Sequence, residues 1–227
     1  MPAGPSANLE LFGSLDAPGG AAPGAQTRMG RQAWILRGLA LPVTDALLRG
    51  VDEVLRQAPL RHMLTPGGRR MSVALTNCGA LGWTSDEHGY RYTRTDPLSG
   101  NPWPAMPAAF AELARLAAQR AGFAGFEPDA CLLNRYEPGS RLSLHQDRNE
   151  RDMDAPIVSV SLGIAAVFLF GGHARTDPAQ RHPLFHGDVA VWGGVDRLRY
   201  HGVLPVKDRP HPVLGSRRIN FTLRKAG

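Results

Sequence analysis

Cysteine is scarce in this chain: two residues in 227, Cys78 and Cys131, with no CxxC spacing and no dense framework. That rules out a disulfide-stapled scaffold and suits a reducing compartment better than secretion. Both are read as small core residues. Long apolar runs are missing too. None approaches the roughly 20 residues that cross a bilayer, and no apolar signal core follows the first charges. No membrane partner is therefore expected, and the cytoplasm is the expected location. Acid is the minority charge, with 20 Asp plus Glu against 26 Lys plus Arg, and the formal charge of +6 favours polyanionic partners. No repeat or oligomer signal stands out, so a monomer is expected. What is present is 43% hydrophobic residues, enough to build the core of one catalytic domain.

Residues 1–31 are rich in Gly, Pro, Ala and Ser and read as a flexible arm, with one apolar cluster at Leu9, Leu11, Phe12 and Leu15. The domain proper is expected over 32–227. Leu47, Leu48, Val51, Val54 and Leu55 form a helical stripe within Val43–Gln57, with Thr44 as N-cap. A second helix is predicted over Pro107–Ala121, burying Phe110, Leu113 and Leu116 and stopping before Gly122. Between the helices, about 63–104 is loop-rich and aromatic, the composition of a lid. Beyond Phe126 come short β-like runs: Ala130–Tyr136, Arg141–Gln146, Ile157–Leu162, Ala165–Phe170, Asp188–Trp192 and Arg218–Leu223. Turn residues separate them, so the fold class is mainly β with flanking helices, a double-sheet jelly roll or barrel braced on one outer face.

Strand periodicity puts Ser143, His145 and Asp147 on one face of Arg141–Gln146 and its continuation, with Leu142 and Leu144 opposite. His201 lies 54 residues beyond Asp147, near another strand end. Two histidines and one carboxylate form the facial triad of non-haem iron oxygenases. A His-x-Asp pair alone is more often a structural hydrogen-bonded pair, so the rest of the chain has to decide. His62, His88, His173, His182, His186 and His211 sit beside Gly, Pro or Arg and read as surface histidines. In the last strand Arg218, Asn220, Thr222 and Arg224 share a face opposite Ile219, Phe221 and Leu223. Such charges usually face solvent, but two arginines six residues apart could also clamp a small dicarboxylate such as 2-oxoglutarate. Asn134 and Tyr136 share a face with Leu132 and could join them.

Taken in order, Asn134-Arg135-Tyr136, Leu144-His145-Gln146-Asp147, Tyr200-His201-Gly202 and Arg218 through Arg224 resemble the pattern of the AlkB family of nucleic-acid dealkylases. So do Thr65-Pro66-Gly67-Gly68, Met71-Ser72-Val73-Ala74, Thr76-Asn77-Cys78-Gly79, Leu81-Gly82-Trp83 and Pro102 through Pro107, a coverage from about Trp34 to Lys225. The resemblance implies a double-stranded β-helix (jelly roll) core with a nucleotide-recognition lid. It implies that His145, Asp147 and His201 hold Fe(II), and that Asn134, Tyr136, Arg218, Asn220 and Arg224 hold 2-oxoglutarate, with O2 as the other co-substrate. It further implies oxidative removal of alkyl groups from bases such as 1-methyladenine and 3-methylcytosine in single-stranded or duplex DNA, with RNA left open. A target base has to be flipped or single-stranded to reach iron, and aromatic rings can hold it there. Trp83, Tyr90, Tyr92 and Arg175 match substrate-contacting positions, while Asn149 stands where bacterial members carry a second aspartate near the base.

Two other readings keep the same residues: a 2-oxoglutarate oxygenase acting on protein or a small molecule, and a nucleic-acid-binding module without turnover. The metal and co-substrate residues do not specify a target, so Trp83 and the lid argue against the first. The complete triad with both arginines argues against the second.

Overall fold

The structure, a computed structural model, describes residues 22–227. The apolar cluster Leu9–Leu15 lies outside the described residues. Thirteen strands and two helices are present among those described, and the strands form three antiparallel sheets. The larger has the order β1-β2-β11-β8-β13-β6-β3, where β1 is Gln26–Arg28, β2 Ala33–Leu36, β3 Ala74–Gly79, β6 Ala130–Tyr136, β8 Ile157–Gly163, β11 Val189–Trp192 and β13 Arg218–Arg224. The smaller has the order β10-β9-β12-β7, where β7 is Leu142–His145, β9 Ala166–Phe170, β10 Gln180–Leu184 and β12 His201–Val203. A separate hairpin pairs β4, Gly82–Asp86, with β5, Gly89–Thr93.

Alternation along the strands divides the apolar residues into two cores. On the outer face of the large sheet, Val158, Val160, Leu162, Ile219, Phe221 and Leu223 meet helix α1 (Thr44–Gln57) and helix α2 (Ala108–Arg120). Phe221 stacks on Phe110 of α2 with ring centroids 4.3 Å apart. Both helices therefore brace one face, as the pattern predicts. Cys78 and Cys131, free thiols that pair across β3 and β6, belong to this core. The second core lies between the sheets and includes Ile35, Ile157, Phe168, Phe170, Trp192 and Val203.

Several local expectations need correction. Gln26–Arg28, assigned by composition to the arm, pairs with β2. Val43 rather than Thr44 stands at the N-cap of α1, and the Thr44 hydroxyl reaches back to the Ala40 carbonyl (3.1 Å). Leu116 is exposed, because Ala114, Ala117 and Ala118 take the buried side of α2 and let it lie close to the sheet. The expected lid contains β3, a strand of the large sheet, so the separate hairpin is shorter than the loop-rich stretch.

Candidate active site

β7 and β12 are neighbours in the small sheet, and their register sets His145 directly opposite His201. Two residues further on the β12 side, Val203 pairs with Leu142, three residues away on β7, so β7 carries one extra residue. This bulge breaks the alternation that puts Ser143 with His145: Ser143 is exposed, and Leu142 packs on the inter-sheet core. The two backbones press together there. A Cβ on Gly202 would lie 2.7 Å from the Leu142 carbonyl oxygen, so only glycine fits opposite the bulge.

The imidazoles of His145 and His201 are 4.4 Å apart between centroids. Asp147, just past β7, places Oδ1 3.7 Å from His145 Nε2 and Oδ2 3.7 Å from His201 Nε2. His145 donates from Nδ1 to the Ser143 carbonyl (2.9 Å), and His201 from Nδ1 to the Arg199 carbonyl (3.0 Å). Each Nδ1 therefore carries a proton, and Nε2 is the ring atom that each histidine turns toward the carboxylate. Burial and the neighbouring His201 hold His145 down at about 4, so the ring is neutral near pH 7. Burial alone would raise the Asp147 carboxyl, but Arg224 and the two imidazoles outweigh it and hold it well below the ordinary range. Two imidazoles and one ionised carboxylate are a donor set for a divalent transition metal. Their ligand atoms lie within 4.8 Å of one another, the one such group among the described residues. The other six histidines do not join it, although His186 and His211 stack on each other (4.3 Å) and His182 is half-buried rather than at the surface.

The inner face of β13 adjoins this group, and its charges do not face solvent. Arg218 is 1% exposed and Arg224 6%. Cross-strand register sets Arg218 opposite Tyr136 and Asn220 opposite Asn134. The Arg218 guanidinium lies over the Tyr136 ring at 4.8 Å and donates from Nη2 to Ser161 Oγ (3.0 Å), while its Nε and Nη1 have no partner. A buried cation with unused donors is costly unless an anion meets it, so the residues fit a carboxylate co-substrate. Asn220 donates to Ser159 Oγ and to the Val160 carbonyl, both at 2.8 Å, which fixes its amide in the wall. Arg224 donates to Asp147 Oδ2 from Nε (3.0 Å) and Nη2 (2.7 Å).

Trp83, on β4, and Tyr90, on β5, stack at 5.4 Å, and Tyr92 pairs directly with Trp83 in the hairpin register. All three share one hairpin face. The Tyr92 hydroxyl is turned inward and donates to Glu150 (2.6 Å), so that atom is occupied, whereas Tyr90 remains 46% exposed. Asn77 docks the hairpin to β3: its amide donates to the Trp83 carbonyl (2.9 Å) and accepts from the Trp83 N–H (3.0 Å). Asn149 is exposed beside Asp147. Arg175 donates to the carbonyl of Leu144, next to His145, and lies 5.9 Å from the Tyr200 ring. Sequence reasoning missed Glu150, Arg197 and Asn77, all buried polar residues around the site. Asn77 stands inside a quoted motif, but nothing in its type signals that it substitutes for a strand partner.

An antiparallel sandwich that presents two imidazoles, a carboxylate and buried arginines between its sheets defines a non-haem iron oxygenase of the jelly-roll class. Residues 35–224 match the 2OG-Fe(II) oxygenase superfamily. The alpha-ketoglutarate-dependent dioxygenase AlkB of Salmonella typhimurium is 57% identical over 194 residues, 86% of this chain and 90% of that protein. The Escherichia coli AlkB dioxygenase is 54% identical over 195 residues, with the same coverage of 86% and 90%. The solved structure of OsALKBH1 shares the fold with a TM-score of 0.72 at 24% identity, covering 88% of this chain and all of that one. The chain belongs to the AlkB family of the 2OG-Fe(II) oxygenases. It is an Fe(II)- and 2-oxoglutarate-dependent dioxygenase using O2, of the kind that dealkylates nucleic-acid bases oxidatively.

Proposed function

We propose that this enzyme repairs N-alkylated bases such as 1-methyladenine and 3-methylcytosine in DNA by direct oxidative dealkylation, with His145, Asp147 and His201 as the iron ligands. Asn134, Tyr136, Arg218, Asn220 and Arg224 form the 2-oxoglutarate pocket, in which Arg218 takes a carboxylate on its unpaired donors. The single observation that carries the nucleic-acid target is the aromatic face of the hairpin. Trp83 and Tyr90 stand on the same side as Tyr92, whose hydroxyl reaches Glu150 beside the metal group, so that face turns toward the site. A flat ring can enter there and stack.

Iron with 2-oxoglutarate and O2 supplies the oxidation that places a hydroxyl on the alkyl carbon, yielding succinate and carbon dioxide. The hydroxylated group then leaves the base nitrogen as an aldehyde. The protein's part is geometric and electrostatic. Nδ1 hydrogen bonds fix the orientation of both histidine rings, Arg224 keeps Asp147 ionised, and Trp192 and Phe168 pack beside His201 with ring centroids 4.9 and 6.0 Å away. No helix among the described residues is long and apolar enough to cross a membrane. Iron-loaded protein given 2-oxoglutarate, O2 and methylated single-stranded DNA is expected to form succinate and formaldehyde in equal amounts. Succinate without DNA-dependent formaldehyde would transfer the target to protein or a small molecule, and neither product would leave a binding module.

A further inference from the structure

Beside the metal group lies a buried polar cluster in which Glu150 and Arg197 have no part in the reaction above. Its centre is Glu150, whose side chain is 2% exposed. Oε1 accepts from the Tyr92 hydroxyl (2.6 Å) and lies 3.4 Å from Arg224 Nε, while Oε2 accepts from Arg197 Nη2 (3.2 Å). Arg197, itself 3% exposed, donates from Nη1 to the main-chain carbonyl of Asp147 (2.7 Å) and from Nε to the Ala155 carbonyl (3.1 Å). Asp147 is thus gripped at its backbone by Arg197 and at its carboxylate by Arg224, and both guanidinium groups lean on Glu150.

We propose that Glu150 is a positioning residue that couples the β4–β5 hairpin to the metal group, with Tyr92 as the hairpin's side of the link. The inference rests on the reading of Asp147 as an iron ligand. The coupling works by competition. Arg224 divides its charge between Asp147 and Glu150, and the hydroxyl of Tyr92 satisfies part of Glu150's demand. Without that hydroxyl, Glu150 pulls harder on Arg224 and shifts the balance at Asp147 Oδ2. Conversely, a cation that draws on Asp147 releases Arg224 toward Glu150 and changes the setting in which Tyr92 is held. Linkage makes the coupling reciprocal: whatever the hairpin does to metal binding, metal binding does to the hairpin. A dry cluster of two cations and two anions transmits such shifts more strongly than a solvated one.

The test uses the full-length protein and Co(II) alone as the metal probe, in wild type, Tyr92→Phe, Glu150→Gln and the double variant. Co(II) affinity, its visible absorption spectrum, and amide hydrogen exchange over residues 82–93 with and without Co(II) are read. Expected is faster hairpin exchange when Co(II) binds wild type, loss of that response in Tyr92→Phe, and Co(II) binding tightened about threefold to tenfold in Tyr92→Phe with an altered spectrum, whereas Glu150→Gln, which leaves Arg224 wholly to Asp147, weakens it. The double variant should bind Co(II) as Glu150→Gln does, because the Tyr92 substitution has nothing left to act through. Unchanged Co(II) affinity and hairpin response in Tyr92→Phe, or additive effects of the two substitutions in the double variant, would overturn the coupling while leaving the metal site intact. If Glu150→Gln does not fold, Tyr92→Phe decides by itself. Failure of wild type to bind Co(II) would overturn the metal reading and the coupling together.

Discussion

The two faces of β13 divide the work of the molecule between them. Outward, Ile219, Phe221 and Leu223 enter an apolar core closed by two helices. Inward, Arg218, Asn220, Thr222 and Arg224 are equally buried, yet none is apolar. One face gains stability from packing; the other gives some up to hold charge away from water, in a geometry that a co-substrate and a metal ligand complete. Substitutions on the two faces should therefore fail differently, the outer ones in folding and the inner ones in chemistry.

The sharpest contrast comes from the inner side. Replacing His145, Asp147 or His201 by Ala should abolish dealkylation while the far-UV circular dichroism and cooperative unfolding persist, because each removes one of the three protein bonds proposed to hold iron. Turnover in any of these variants at full metal content would break the assignment. On the outer side, Phe221→Ala should cost about 3–5 kcal/mol in urea unfolding, since it empties the space stacked on Phe110. Turnover per folded molecule should stay within about a factor of two, and a selective loss of activity without a loss of stability would dissolve the division between the faces.

Smaller effects sharpen the inner face itself. Arg218→Lys keeps the charge but not the planar fork, so the 2-oxoglutarate concentration for half-maximal rate should rise about tenfold, the equivalent of one lost charge-assisted hydrogen bond. An unchanged titration would return Arg218 to a purely structural role. Smallest is Asn149→Asp, at an exposed position where solvent weakens the new charge. It should raise kcat/KM for cationic 1-methyladenine over neutral 1,N6-ethenoadenine by about threefold to fivefold in the same strand, because a carboxylate attracts the cation and an amide only accepts its hydrogen bond. A ratio that stays put or inverts would mean that this residue does not read lesion charge.

Much of this layout was legible from residue order, for a physical reason. Ile219, Phe221 and Leu223 alternate strictly with Arg218, Asn220, Thr222 and Arg224, and a period of two survives wherever a strand stays regular. β7 shows where the reasoning fails. Its extra residue turns Leu142 inward and Ser143 out, and no composition rule announces a bulge. The edge strand β10 escaped notice because Gln180, Arg181, His182 and Pro183 do not look like a strand. At the end of the small sheet, though, a missing N–H and polar side chains are tolerated. Glu150 is the plainest loss: in Arg148-Asn149-Glu150-Arg151 it reads as one charge in a solvated run. Its burial depends on Arg197 and Arg224, residues 47 and 74 positions away that only the fold brings near.

The hairpin of β4 and β5 belongs to neither sheet. It is attached through the Asn77 amide at one end and, at its base, through the Trp103 indole, which donates to the Thr93 carbonyl (3.0 Å) and packs where any side chain on Gly82 would collide. In engineering terms it is a cassette. On the function proposed above, a hairpin of different aromatic make-up in place of residues 82–93 should bring a new choice of base while the oxidising half of the molecule is kept whole. The graft has to meet three sockets: glycine at 82, a strand edge that accepts Asn77, and a tyrosine at 92 whose hydroxyl reaches Glu150.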